Sequence, residues 1–228
     1  MSTDFELTPL QKELMEAIRF GHADRIEDSL AGGTGLRFAA GYSDEKPLHI
    51  AAQCGRPHII RLLVENGAPV DDMDEQGHTP LFHASEKGQQ DAVAELLELG
   101  ANLHHVSHTS RNALFCAALK NHVPVLETLL DAGADPNVII NGSTALLYAV
   151  GNSQCEAARF LVERGARLDI LNSFNESALD IARRRMQGWE KGELFISFLA
   201  ATQIQAHAAE GAPGEIVVLK PLRFKPQR

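Results

Sequence analysis

The sequence has few of the residues that build aromatic cores, disulfide frameworks or membrane spans. It contains one Trp and two Tyr, and aromatic residues are only 6% of the 228, so Leu, Ala, Ile and Val must supply most of the core. Its three cysteines, Cys54, Cys116 and Cys155, are an odd number without staple-like spacing. This pattern favours small buried thiols in a reducing compartment over a disulfide framework. No apolar run approaches the length of about 20 residues that crosses a bilayer.

The net charge and the N-terminal residues indicate which compartment and which classes of partner to expect. A formal net charge of −9 argues against a general attraction to the phosphate backbone of nucleic acid. The stretch Met1 to Glu6 is acidic and lacks the basic and apolar regions of a signal peptide. We therefore expect a cytoplasmic protein that binds neither nucleic acid nor a membrane.

Sequence motifs for catalysis are also missing. The chain has no H-E-x-x-H, Gly-x-Ser-x-Gly, Walker or Rossmann glycine pattern, so we expect no enzymatic activity and no cofactor. A histidine-rich run offers three imidazoles at His104, His105 and His108. Because this run lacks a fourth ligand and supporting residues, we expect no metal site there.

What the sequence does contain is a repeat of about 33 residues. One leucine position recurs at spacings of 33, 33, 32 and 33, at Leu48, Leu81, Leu114, Leu146 and Leu179. One glycine position recurs at spacings of 33, 33 and 32, at Gly67, Gly100, Gly133 and Gly165. Two independent markers with one period indicate a repeat architecture.

The repeated unit resembles the ankyrin repeat, whose pattern is a hairpin turn, T-P-L-H-x-A-A, a helix and L-L-x-x-G-A. The clearest matches are Pro47-Leu48-His49-Ile50-Ala51-Ala52 and Thr79-Pro80-Leu81, with Leu96-Leu97-Glu98-Leu99-Gly100-Ala101 closing the latter unit. The resemblance covers residues 7–199 and implies an all-α ankyrin-repeat solenoid in which short hairpin fingers join about six helix-turn-helix repeats. We expect these repeats near 7–33, 44–67, 77–100, 110–133, 142–165 and 175–199, the outer two as caps. Residues 1–6 would form an N-terminal tail, and 200–228 a linker and basic tail.

Individual residues carry local predictions. Thr8 and Pro9 indicate a capped helix start, and Asn141-Gly142 indicates a tight turn in a finger that is one residue short. In the family, the motif His bonds the backbone of the neighbouring hairpin, which implies a structural role for His49. By the same alignment, Cys116 points into the repeat core.

The resemblance also implies a concave surface formed by finger tips and the exposed positions of each first helix. The predicted function is therefore a non-enzymatic, monomeric scaffold that binds another protein through this groove and the fingers. Exposed Ile139, Ile140, Leu171 and Phe174 would contact a partner, or else pack on each other or under the tail. The predicted partner-binding residues are Tyr42, Glu75, His78, Lys87, His108, Arg111, Ile140, Asn141, Phe174, Arg184 and Arg185.

Three alternatives remain open at this point. The chain could be a regulatory or inhibitory subunit that contacts an enzyme or effector partly through its basic tail. The run Arg183-Arg184-Arg185 could meet an acidic segment or a phosphate, or could be a solvated helix end. Finally, the resemblance implies that the solenoid could itself be a substrate, hydroxylated at the finger residue Asn137.

Overall fold

The structure, a computed structural model, describes residues 7–33, 35, 36, 38 and 44–210, and the side chains up to 205. Within these residues the chain forms twelve helices and no strand, and one isolated antiparallel bridge joins Ile140 to Ser143. The all-α ankyrin-repeat class predicted from the sequence is confirmed. The chain divides into two compact units, Met1–Asp135 and Pro136–Arg228.

The first unit contains eight helices within its described residues. Helices with odd numbers pack on one another in succession (α1 on α3, α3 on α5, α5 on α7), and so do α4, α6 and α8. Each odd helix also packs on the even helix that follows it, so the unit is a stack of helix pairs. The bounds are α1 Pro9–Phe20, α2 Ala23–Ala31, α3 Pro47–Gln53, α4 Pro57–Glu65, α5 Pro80–Lys87, α6 Gln90–Glu98, α7 Ala113–Leu119 and α8 Val123–Asp131.

The second unit contains four helices within its described residues. Helix α9 packs on both α10 and α11, while α12 packs on α10 and α11. The last helix is much longer than the others and continues beyond the repeat pattern as far as Glu210. The bounds are α9 Ala145–Gly151, α10 Cys155–Glu163, α11 Ala178–Met186 and α12 Glu190–Glu210.

A side-chain acceptor marks the start of the first helix in five of the six described pairs, the exception being α3, which Lys46 precedes. Thr8 caps α1 in a capping box with Gln11, and Pro9 takes the first helical position, as the sequence predicts. Asn112 replaces the motif Thr before α7 and still accepts the Phe115 N–H at 2.9 Å. A polar acceptor at this position therefore matters more than the identity of the motif residue. The remaining acceptors of this kind are Thr79, Thr144 and Ser177.

The core is made of aliphatic layers between the stacked pairs. Ala51 and Ala52, like Ala117 and Ala118, are fully buried, and their small side chains allow neighbouring helices to approach closely. Cys116 is 1% exposed, which confirms its predicted place in the core. The fully buried large residues include Leu14, Ile18, Ile59, Ile60, Leu63, Leu81, Leu96, Leu114, Phe115 and Phe195.

Candidate functional site

A polar side chain closes both three-residue finger turns of the first unit that the structure describes in full, those before α5 and α7. In the finger before α5, Asp74 Oδ1 accepts the backbone N–H groups of Gln76 (2.9 Å) and His78 (2.8 Å). In the finger before α7, Ser107 takes the equivalent position and its hydroxyl bonds the carbonyl of Arg111 at 3.0 Å. The bonds to Asp74 satisfy two N–H groups that the turn itself leaves without a partner, whereas Ser107 adds a second bond to a carbonyl that already accepts the Ser107 N–H at 2.9 Å.

The second unit shows the same arrangement and one exception that explains the shortened repeat. Before α11, Asn172 Oδ1 accepts the N–H groups of Phe174 and Glu176, each at 2.9 Å. Before α9 the equivalent residue is Ile140, and the turn contains only Asn141 (φ 50°) and Gly142 (φ 67°). Ile140 and Ser143 exchange both backbone bonds, at 2.9 and 3.1 Å, so the two-residue turn needs no side-chain acceptor. The predicted tight turn is confirmed.

The residue before each closing residue is a large, exposed apolar side chain. In the first unit these are Met73, 47% exposed, and Val106, 42% exposed. In the second unit they are Ile139, 59% exposed, and Leu171, 44% exposed. Ten large apolar side chains are exposed among the described residues, and four of them share this one position. We call these four the apolar finger positions.

Sequence reasoning found only half of this set. Ile139 and Leu171 are predicted from the sequence to be exposed contacts because they lie in apolar runs. Met73, in contrast, lies among acidic residues and Val106 among histidines. The signal was nevertheless present, since the four residues lie 33, 33 and 32 apart, in the same register as the repeat glycines Gly67, Gly100, Gly133 and Gly165.

Two neighbouring turns of the second unit meet at their tips. A Cβ placed on Gly142 would stand 2.6 Å from Ser173 Oγ, so the short turn packs directly against the next one. Beside this contact, Phe174 is 84% exposed, the largest exposed fraction among the large apolar residues described. Ile140 is half-buried, because it forms the bridge that closes its finger, and Asn141 is exposed at the tip.

The predicted binding residues of the first unit fall into two groups. Glu75, Lys87 and His108 are exposed, and Arg111 is half-buried. His78 instead turns inward: its ring stacks on Phe82 with centroids 3.9 Å apart, and only 12% of its side chain is exposed. His78 is thus part of the fold as well as of the surface.

In the second unit the predicted arginines differ in their surroundings. Arg184 forms a two-pronged ion pair with Glu176, with N–O distances of 2.9 and 3.1 Å, while Arg185 is exposed. Hydrogen bonds from Asn172 and Arg184 lower the pKa of Glu176. Asn137, the residue that the resemblance marks for modification, bonds the next finger: it donates to the Gly165 carbonyl at 3.1 Å and accepts the Arg167 N–H at 2.8 Å. Tyr42 and the basic residues of 211–228 lie outside the described residues.

His49 ties its helix to the next finger. Its Nδ1 accepts the Lys46 N–H at 3.1 Å, so Nε2 carries the proton and donates to the carbonyls of Asp72 (3.0 Å) and His78 (3.1 Å). Burial, together with nearby His83, lowers the pKa of His49 to about 4. A neutral imidazole is what these three bonds require, and the predicted structural role is confirmed.

A second imidazole arrangement was not predicted. Asp74 Oδ2 accepts from His78 Nδ1 at 3.1 Å and from His83 Nε2 at 3.0 Å, and Gln53 Nε2 donates to the other nitrogen of His83 at 3.2 Å. Burial opposes ionisation of Asp74, but the bonds from His78 and His83 outweigh it and lower the pKa of the carboxyl. Burial likewise lowers the pKa of His78, against the effect of Asp74.

Polar side chains also link successive pairs of the first unit where their first helices end. Gln89 donates to the Gln53 carbonyl at 3.1 Å, and His122 donates to the Glu86 carbonyl at 3.0 Å. Both side chains pass over a glycine with positive φ: a Cβ on Gly55 would stand 2.3 Å from Gln89 Oε1. These glycines therefore leave room for a side chain as well as ending a helix.

Comparison with known families agrees with this architecture. The family model of ankyrin repeats, built from three copies, matches residues 14–107 and 100–173. The chain belongs to the ankyrin repeat family. Ankyrin repeats are generally protein–protein interaction modules and are typically not enzymes. A comparison with curated proteins finds no match. None of the described helices is both long and apolar enough to cross a membrane.

Proposed function

We propose that this protein is a non-enzymatic, cytoplasmic scaffold that binds another protein through its fingers, with the apolar finger positions as the main contacts. The supporting observation is the recurrence of a large exposed apolar side chain at one register position in every finger that the structure describes. Exposed apolar residues are ordinary when scattered singly. Their return at the same turn position in successive fingers of each unit is a regular feature of the surface, and we take it as the support for this proposal.

The polar surroundings of these positions favour a protein partner. In the first unit, Met73 follows the half-buried Asp72, and Glu75 and Gln76 are exposed at the finger tip. In the second unit, Phe174 adds a large aromatic contact, and aromatic residues are enriched among those that dominate binding energies. The acidic net charge supports a partner other than nucleic acid. We further propose that the free chain is a monomer.

The test is capture of partners from a native lysate by the full chain and by two variants. One variant replaces all four apolar finger positions by Ser. The matched control replaces Phe20, Leu194 and Ile204 by Ser, which are 67%, 55% and 69% exposed and lie in helices outside the fingers. Urea unfolding establishes first that both variants keep the stability of the parent chain.

We expect the finger variant to lose a partner that the control retains, with affinity reduced at least tenfold when the purified partner is titrated. Retention of all partners by the finger variant would refute the proposal. Loss on deleting residues 211–228 alone would instead support the regulatory subunit that acts through its tail.

A further inference from the structure

We propose that Asp74, His78 and His83 form a three-ligand site for a divalent transition metal ion of the zinc class. Among the described residues, they are the one group of three or more potential ligands whose atoms all lie within 4.8 Å of one another. Two residues come from the finger before α5 and the third from α5 itself, so an ion would link the finger to the helix.

The distances are close to those that coordination needs. Zinc binds imidazole nitrogen and carboxylate oxygen at about 2.0–2.2 Å, so two ligand atoms at a tetrahedral angle lie about 3.3–3.6 Å apart. The two histidine nitrogens lie 3.1 and 3.0 Å from Asp74 Oδ2. To admit the ion, each histidine nitrogen would move a few tenths of an ångström from Asp74 Oδ2. The two nitrogens, which with Oδ2 all lie within 4.8 Å of one another, would come to about 3.3–3.6 Å from each other through rotation of the side chains.

The ligand set selects the class of ion. Two imidazoles with one carboxylate suit Zn²⁺, Co²⁺ or Ni²⁺, whereas Ca²⁺ and Mg²⁺ prefer sites made of oxygen atoms. Three protein ligands leave a coordination position for water. The His78 side chain is 12% exposed, compared with 3% for Asp74 and 8% for His83, so solvent reaches the site from the His78 side.

The surrounding residues hold the rings in place and can support the required tautomers. His83 meets the rings of His49 and His78 edge-on, with centroids 5.3 and 5.6 Å away. On metal binding each neutral ring keeps one proton but carries it on the other nitrogen. His78 Nε2 lies 3.3 Å from Thr109 Oγ1, which would accept a hydrogen bond from the Nε2–H. Turning the amide of Gln53 would present its oxygen to His83 Nδ1, now 3.2 Å from Nε2 of the amide, in exchange for the hydrogen bond that Nε2 donates to Glu45 Oε1 at 2.8 Å. Such outer contacts orient metal-bound histidines.

The experiment uses the full chain, stripped with EDTA and then titrated with Zn²⁺ by calorimetry and with Co²⁺ by visible absorption. We expect one equivalent of Zn²⁺ to bind, the melting temperature to rise, and Co²⁺ to give the absorption bands of a four-coordinate site. The variant His78→Gln should weaken Zn²⁺ binding at least tenfold. The matched control, His58→Gln/His104→Gln, removes two exposed imidazoles and should bind as the parent does.

Two outcomes overturn the proposal. One is the absence of saturable Zn²⁺ binding by the parent chain. The other is binding that survives His78→Gln and is lost in the control, which would place the ion on exposed histidines. If His78→Gln fails to fold in EDTA, the parent chain is tested by NMR of its imidazole nitrogens. We expect His78 and His83 to change tautomer when Zn²⁺ is added. Unchanged tautomers would refute the site.

Discussion

The ring of His122 lies directly over the backbone of Gly88, so that a Cβ on this glycine would stand 2.6 Å from His122 Nδ1. From that position His122 Nε2 donates to the Glu86 carbonyl, one helix pair earlier in the chain. The hydrogen bond between these successive helix pairs therefore requires that residue 88 have no Cβ. Interactions between neighbouring repeats add to the stability of each repeat in a stacked repeat protein.

Replacing Gly88 by Ala tests this dependence. The left-handed φ of +73° costs an alanine about 1–2 kcal/mol, and displacing His122 adds the loss of its hydrogen bond, about 0.5–1.5 kcal/mol. Gly100→Ala is the matched control, because φ is +87° there and no atom lies within 4 Å of the added Cβ. Urea unfolding should show Gly88→Ala to be the more destabilising by about 1 kcal/mol. Equal losses would mean that His122 contributes nothing.

Replacing His49 by Ala should be among the most destabilising changes at a polar residue. The substitution leaves the Lys46 N–H and the carbonyls of Asp72 and His78 without their imidazole partner. Each buried group left unpaired costs about 1–3 kcal/mol, and we expect a total loss of about 2–4 kcal/mol. The control His58→Ala, on the exposed side of α4, should change the urea midpoint little. A small effect at His49 would show that water replaces the imidazole.

The depressed pKa of His49 predicts a fall in stability on acidification. The unfolded chain takes up a proton near pH 6.5, whereas the folded chain resists it until about pH 4, so the unfolded state binds more protons between these values. The contribution of His49 to stability is therefore complete above pH 6.5 and lost as the pH falls towards 4, by about 3 kcal/mol in all. Urea midpoints measured in EDTA from pH 7.5 to 4.5 should fall less steeply for His49→Gln than for the parent chain. Parallel curves would contradict the assignment.

Asn172→Ala should loosen one finger without unfolding the unit around it. The substitution removes the acceptor of the Phe174 and Glu176 N–H groups, and we expect a loss of about 1–2 kcal/mol. Hydrogen exchange at these two amides should accelerate by at least tenfold. The control is Ile140→Val in the preceding finger, whose backbone closes itself, and exchange there should change little. Unchanged exchange at Phe174 and Glu176 would show that the turn closes without Asn172.

The sequence predicted the parts of the fold that depend on local rules. The chemistry of a few neighbouring residues predicts the cap at Thr8 and the tight turn at Asn141-Gly142. Comparison of one repeat unit with the next predicts the role of His49. The cluster at Asp74 could not be read in this way, because His83 stands one position past the usual motif histidine. Its partners depend on how the finger folds back onto α5. The apolar finger positions were readable in principle, since only alignment of Met73 and Val106 with Ile139 was needed.

Because Cys116 is buried, the rate at which its thiol is labelled reports how often the surrounding helices separate. The thiol is 1% exposed, and burial raises its pKa to about 12, so a thiol reagent at pH 8 meets neither an accessible sulfur nor a thiolate until α7 separates from its neighbours. Cys54 and Cys155 are half-buried and should be labelled first. The slow labelling of Cys116, followed by mass spectrometry, then measures how often the first unit opens. Comparing that rate with and without a bound protein would report the strength of the complex from the scaffold's side, without any engineered probe.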